Sequence, residues 1–174
     1  MYLYVGTQNR LLNCYYAWNT SFSTLGSSTS PTLLNSVTIS SVYGYVKYIE
    51  SFVDGVIIAA TSNNYLLVMG ATNLVVFGAT LVPGDITSIT SSYPEYGVAP
   101  SGKPTIFVTT TYNVYAYEIN ITPNYEIGLN YYNITGDYQL LTQNGFQTGS
   151  PVTNIINTST NDTFTLLLRE PTSS

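Results

Sequence analysis

The sequence contains no histidine and only four basic side chains, Arg10, Lys47, Lys103 and Arg169, in 174 residues. Without histidine, Ser-His-Asp and Cys-His nucleophile arrangements cannot be built. Histidine metal sites are excluded as well, and the lone Cys14 cannot make a thiolate zinc site or an intrachain disulfide. Charged residues make up 7% of the chain, against about 25% in ordinary soluble domains. With so few cations and a net charge of −5, neutralising a run of phosphates is not credible, so no nucleic-acid partner is expected. No run of about 18 apolar residues occurs, so no membrane-spanning helix is expected. The first residues lack the basic and apolar regions of a signal peptide. An exterior protein would then reach its site with a signal already removed, or inside a virus particle.

What the chain does have is hydroxyls, amides and aromatics. Hydrophobic residues reach 44% and aromatic ones 14%, with 17 tyrosines. Such a chain can bury a core, and its polar surface must be built from Ser, Thr, Asn, Gln and Tyr rather than from charge. Asn-x-Ser/Thr sequons stand at Asn19, Asn120, Asn133, Asn157 and Asn161. They are candidate glycosylation sites whose sugars would supply the missing hydration. Cys14, between apolar and aromatic neighbours, is expected to be a small buried hydrophobe.

Val, Ile, Thr, Tyr and Phe dominate short apolar runs separated by Asn, Gly, Pro and Ser clusters. This pattern predicts strands throughout and no helix. The expected strands cover residues 2–7, 11–18, 33–40, 43–50, 56–61, 65–70, 74–80 and 86–91. Further strands are expected at 105–110, 114–121, 126–132, 138–141, 152–157 and 163–169. Turns are expected at residues 8–10, 62–64, 82–85 and 144–145, and long connections at 23–31 and 93–104.

The chain repeats itself. Tyr4-Val5-Gly6-Thr7 leads through an Asn-bearing turn into Leu11-Leu12. Ile58-Ala59-Ala60-Thr61 leads likewise into Tyr65-Leu66-Leu67, and Phe107-Val108-Thr109-Thr110 into Val114-Tyr115-Ala116-Tyr117. Residues 163–169 resemble a further partial copy. The last three units, unlike the first, are preceded by a similar strand at residues 46–50, 86–90 and 152–156. The spacing of about 50–60 residues is that of four-stranded propeller blades. On these residues the chain resembles β-propeller repeats of the WD or quinoprotein-like kind, although it lacks the Gly-His and Trp-Asp signature. The resemblance implies one all-β, antiparallel domain over residues 1–174, with propeller-like repeats near 1–42, 43–85 and 86–151 and a partial copy at 152–169. A closed ring needs about 4–8 blades, so either a second chain completes it or the strands form a β-sandwich of pilin or coat type. The composition also resembles virion and surface-filament proteins of hyperthermophilic archaea and their viruses, which implies an exterior location and assembly.

Motifs for chemistry are sparse, and no cofactor, metal or catalytic residue is expected. Carboxylate pairs among Glu50, Asp54, Asp85, Glu95, Glu118, Glu126, Asp137, Asp162 and Glu170 leave a glycosidase as a remote alternative. Residues 97–105 imitate a phosphate-binding loop, but Pro104 stands where the magnesium-binding hydroxyl belongs and a strand follows instead of a helix. Tyrosines and the tryptophan cluster at Tyr15, Tyr16 and Trp18, at Tyr43 and Tyr45, at Tyr115 and Tyr117, and at Tyr131 and Tyr132. Residues two apart share a sheet face. These aromatics are candidates for a subunit interface or for stacking on sugars, with packing inside one subunit as the competing role. The expectation is a non-enzymatic structural subunit of an extracellular assembly, a virion coat or spike protein or a filament subunit. Its partners would be further copies or other subunits of the same particle. The alternative is an adhesion module that binds glycans or a host receptor.

Overall fold

The computed structural model describes residues 2–16, 31–52, 55–91, 105–120, 126–130, 146–147, 154–157 and 166–169. These residues form strands and turns, with no helix among them. Sheet 1 runs in the order β1 (Tyr2–Gly6), β2 (Leu11–Tyr16), β3 (Thr32–Thr38). Sheet 2 runs β4 (Val46–Ser51), β5 (Val56–Thr61), β6 (Tyr65–Gly70), β7 (Val76–Leu81). Sheet 3 holds β8 (Ile86–Ser91), β9 (Thr105–Thr110), β10 (Asn113–Asn120) and β11 (Glu126–Asn130), paired in that order, with β12 (Phe146–Gln147) also on β10. Sheet 4 is the pair β13 (Asn154–Asn157) and β14 (Leu166–Arg169). Every pairing is antiparallel.

The internal repeat is visible in backbone detail. Thr7, just after β1, and Thr61, the last residue of β5, use the same device: each threonine hydroxyl accepts the amide four residues on, from Leu11 at 3.3 Å and Tyr65 at 3.2 Å. Each turn closes on a residue in the left-handed region, Arg10 at φ 65° and Asn64 at φ 64°. Asparagine tolerates that region well; Arg10 is held there while its Nη1 donates to the Ile39 carbonyl at 3.2 Å. Bulges recur too. Register slips by one residue between Val46 and Tyr48 in β4 and between Ile86 and Ser88 in β8. It slips opposite Cys14/Tyr15 of β2 and opposite Val68/Met69 of β6, leaving Leu34 and Phe77 as the extra residues. A bulge fixes register and bends the strand locally, so β4 corresponds to β8, and β1–β3 correspond to β5–β7.

Successive side chains on a strand face opposite sides, and sheet 2 is covered on both. Ile57, Ala59, Leu67 and Met69 pack with Leu12, Cys14 and Ile39 of the sheet 1 region. Ile58, Ala60, Leu66 and Val68 pack with Ile86, Ile89, Ile106, Val108, Tyr115, Tyr117 and Ile119 of sheet 3. This two-sided cover is why β5 and β6 read as unbroken apolar runs rather than as alternating ones. Sheet 4 continues the stack, with β13 against β8 and β9. The sheets therefore lie side by side in chain order.

Two expected strands start later than their sequence pattern suggests. β4 begins at Val46, not Tyr43, because residues 41–45 turn over the β5–β6 hairpin: the Asn63 Nδ2 donates to the Ser41 and Val42 carbonyls at 3.3 and 3.0 Å. Gly44 sits in this turn at φ 80°, and a Cβ there would run into the Ser62 hydroxyl. Tyr43 and Tyr45 thus do not share a strand face; Tyr43 packs edge-on to Tyr65, with ring centroids 5.1 Å apart. Likewise β7 begins at Val76 because Leu74 takes φ 56° at the end of the preceding turn.

Candidate interaction surface

Sheet 1 has one covered face and one open face. On the covered face lie Tyr4, Leu12, Cys14 and Val37, packed on sheet 2. The Tyr4 hydroxyl and the Cys14 thiol both donate to the Ala71 carbonyl, at 2.9 and 3.4 Å. Burial pushes the Tyr4 phenol up to about 12, so it remains a donor at any physiological pH. Burial also raises the Cys14 thiol, which sits fully enclosed as the small hydrophobe its surroundings in the sequence imply.

The open face follows from the register. Leu3 lies opposite Tyr15, and Tyr15 opposite Leu33; Val5 lies opposite Asn13, and Asn13 opposite Ser36. Leu3 is 46% exposed, Val5 40% and Leu33 51%, whereas Ile57 and Ala59, at the matching positions of sheet 2, are 2% and 0% exposed. Asn13 and its neighbours tie up their own polar groups, since Ser36 Oγ donates to Asn13 Oδ1 at 2.7 Å and Asn13 Nδ2 to the Tyr15 hydroxyl at 3.3 Å. The face carries no charge at any of these positions. β1 is open at its edge as well. Among the described residues it pairs with β2 alone, whereas β5 lies between β4 and β6, and β9 between β8 and β10.

Lys47, Glu50 and Asp85 serve the junction between sheets 2 and 3. Lys47 Nζ donates to the Ile86 carbonyl at 2.8 Å and lies 5.3 Å from the centre of the Tyr48 ring. Glu50 Oε1 accepts from the Ser91 amide at 3.3 Å and the Ser91 hydroxyl at 3.2 Å. Burial raises the Glu50 carboxyl above its ordinary value, and the two Ser91 bonds pull the other way. Asp85 Oδ1 accepts from Asn64 Nδ2 at 3.0 Å. No group of three or more acidic or cysteine side chains gathers among the described residues.

The aromatic candidates are dispersed. Tyr15 stands on the open face of sheet 1, while Tyr16 is exposed at the end of β2, edge-on to Tyr2 with centroids 6.2 Å apart. Tyr115 and Tyr117 do share a face, but that face is the one packed on sheet 2. Both are buried, with ring centroids 6.2 Å apart, and the Tyr115 hydroxyl donates to the Pro83 carbonyl at 3.1 Å. Their expected place at an interface or ligand surface is corrected: they belong to the core, because a sheet in the middle of the stack is covered on both sides. Trp18, Tyr131, Tyr132, Asn19, Asn133 and Asn161 lie outside the described residues. Asn120 and Asn157 are the last residues of β10 and β13. Sequence reasoning passed over Leu33, which only the register of β3 against β2 places beside Tyr15.

No family model matches this sequence, and no curated protein does. Among solved structures, the chain is similar to the crystal structure of BBS1N in complex with ARL6DN, soaked with mercury, with a TM-score of 0.59 at 9% identity. The match covers 96% of this chain, which spans 42% of that one. The likeness is one of fold. The chain is an all-β protein of antiparallel, propeller-like blades rather than a two-layer sandwich. No helix among the described residues is long and apolar enough to cross a membrane.

Proposed function

We propose that this chain is a structural subunit of an extracellular assembly, a virion coat or spike component or a surface-filament subunit. The observation that carries the proposal is the open face of sheet 1. Leu3 and Val5 stand in water at places where sheet 2 buries Ile57 and Ala59 almost completely, and Leu33 is exposed beside them. Exposed apolar rows of this kind mark interaction sites, and an uncharged strand edge is a template for pairing that monomeric proteins normally block. The scarcity of charge supports the reading, since 7% charged residues provide little repulsion to keep copies apart. The sequons and the hydroxyl-rich surface support an exterior location. BBS1N was crystallised with another protein, ARL6DN, which favours protein partners for a related blade array. Electron microscopy of the native material tests the proposal. Filaments, coats or discrete multi-subunit particles containing the chain are expected; a dispersed single molecule in every preparation would contradict it.

The exposed Tyr2 and Tyr16 pair favours a second reading, an adhesion module that stacks on glycans. Glycan-array binding lost in Tyr16→Ala would distinguish it from scaffolding.

A further inference from the structure

β4 and β8 lie side by side without pairing, since each is the first strand of its own sheet. Side chains bridge them at both ends of β8. At the Ile86 end, Lys47 Nζ donates to the Ile86 carbonyl at 2.8 Å, and Asn64 Oδ1 accepts the Ile86 amide at 3.2 Å. The chain itself crosses from sheet 2 to sheet 3 here, through residues 82–85, and the Tyr115 hydroxyl holds the Pro83 carbonyl at 3.1 Å. At the Ser91 end, Glu50 Oε1 accepts the Ser91 amide at 3.3 Å and the Ser91 hydroxyl at 3.2 Å. The Ile86 end is thus tied by the backbone, whereas the described bridge at the Ser91 end is a carboxyl.

Glu50 lies opposite Ile58 and Tyr48 opposite Ala60, so Glu50 shares the face that packs on sheet 3. The ionisable groups around it are few. β4 itself carries Lys47 and Tyr48, and β1 carries Tyr2 and Tyr4, while β5, β8, β9 and β13 carry none. β10 supplies Tyr115 and Tyr117, with Glu118 at the alternate position opposite Thr105; Arg169 of β14 stands opposite Asn154. Asp85 is exposed at the Ile86 end. Burial raises the Tyr48 and Tyr115 phenols above their ordinary value of about 10. Lys47 is engaged at Ile86, roughly 15 Å along β8 from Ser91 and beyond the Debye length of about 8 Å. Desolvation in this half-buried place outweighs the two Ser91 bonds, so the Glu50 carboxyl is raised.

The geometry points to an acid-dependent latch: with its proton on, Glu50 keeps the Ser91 end of sheet 3 closed on sheet 2, and once ionised it draws in water and lets that end swing open about residues 82–86. The inference concerns one molecule and stands apart from the assembly reading. Opening returns Glu50 to water and to its ordinary value of about 4.3. Below that value both forms hold the proton and the junction is tightest. Above it, opening releases the proton. The open fraction then rises about tenfold per pH unit until pH passes the raised folded value, and levels off beyond.

Amide hydrogen exchange of dilute samples, read residue by residue between about pH 3.5 and 8 and corrected for the intrinsic rate, tests the latch. Two amides at opposite ends of β8 are capped by side chains of sheet 2, Ser91 by Glu50 and Ile86 by Asn64. Protection at Ser91 is expected to fall about tenfold per pH unit within the window above 4.3, while protection at Ile86 stays level. Glu50→Gln keeps an acceptor and cannot ionise, so its Ser91 amide is expected to lose that dependence. A parallel fall at Ser91 and Ile86 overturns the inference, because it reports general opening rather than a swing about one end. Ser91 protection that is flat or rises with pH also overturns it, as does a dependence that persists in Glu50→Gln. Should Glu50→Gln fail to fold, a carbon-13 NMR titration of the Glu50 carboxyl in the parent decides. A midpoint above about 4.3 upholds the latch, and one at or below that value overturns it.

Discussion

Leu74 sits at φ 56° with its side chain buried, and two effects of opposite sign meet there. The left-handed region costs a branched residue about 1–2 kcal/mol, while removing a buried leucine side chain costs about 2–5 kcal/mol. Burial wins, so leucine is retained. Leu74→Ala loses the packing and keeps the strain, whereas Leu74→Gly loses the packing and relieves it. Urea denaturation should therefore rank Leu74→Gly above Leu74→Ala by about 1 kcal/mol, the reverse of the usual order within a strand. Tyr4→Phe removes one of the two donors to the Ala71 carbonyl and should cost about 1 kcal/mol, since Cys14 still reaches that oxygen. Glu50 gives a pH signature. Its carboxyl is raised in the folded protein, so the fold holds that proton more tightly than the unfolded chain does. The stability it contributes is fully present below the unfolded value of about 4.3 and is lost as pH rises through the raised folded value. Glu50→Gln keeps an acceptor for Ser91 without a charge to desolvate. Its stability between pH 4 and 7 should fall less than the parent's, as read from urea midpoints. At this scale the turns at Thr7 and Thr61 were legible, because the threonine and the asparagines recur. The left-handed Leu74 was not, since nothing in Asn73-Leu74-Val75 distinguishes a turn exit from the start of a strand.

Among the elements, β5, β6, β8 and β9 keep the limits their residues imply. Apolar runs bounded by turn residues leave little freedom where both faces are covered. β4 and β7 start late because turn geometry overrides the strand preference of Tyr43 and Leu74. The pairing of β12 with β10, two residues long, has no periodicity to announce it. Tyr115 and Tyr117 were placed correctly on one face, yet which face is covered depends on the neighbouring sheet and not on their own strand. The correspondence of β1 with β5 yields a paired prediction. Ile57→Ala should cost about 2–4 kcal/mol, through lost transfer energy and the cavity left behind. Leu3→Ala should change the stability of a single chain by about 0.5 kcal/mol or less, as exposed positions do. Thermal unfolding of dilute samples checks both values, and a large loss in Leu3→Ala under those conditions would show that its face is already covered within one molecule.

For the whole molecule, the repeating units order the sheets by chain position, and the two apolar clusters fasten sheet 1 to sheet 2 and sheet 2 to sheet 3. The strand content and the blade-like repeat were readable from residues because period-two patterning and turn chemistry are local. The open face of sheet 1 was not, because it depends on the register of three strands and on which of their faces packs on sheet 2. The scarcity of ionic groups belongs to this scale as well. Lys47 and Glu50 staple two sheets together, so the open face is left to apolar side chains and hydroxyls. The most direct test is sedimentation equilibrium of the parent chain and of Leu33→Asp across a wide concentration range. The account predicts that the parent's average mass rises with concentration toward a multiple of the single chain. Leu33→Asp, folded as judged by its spectrum, should stay at the mass of one chain throughout. Identical curves for the two proteins would contradict the assignment of sheet 1 as the docking face.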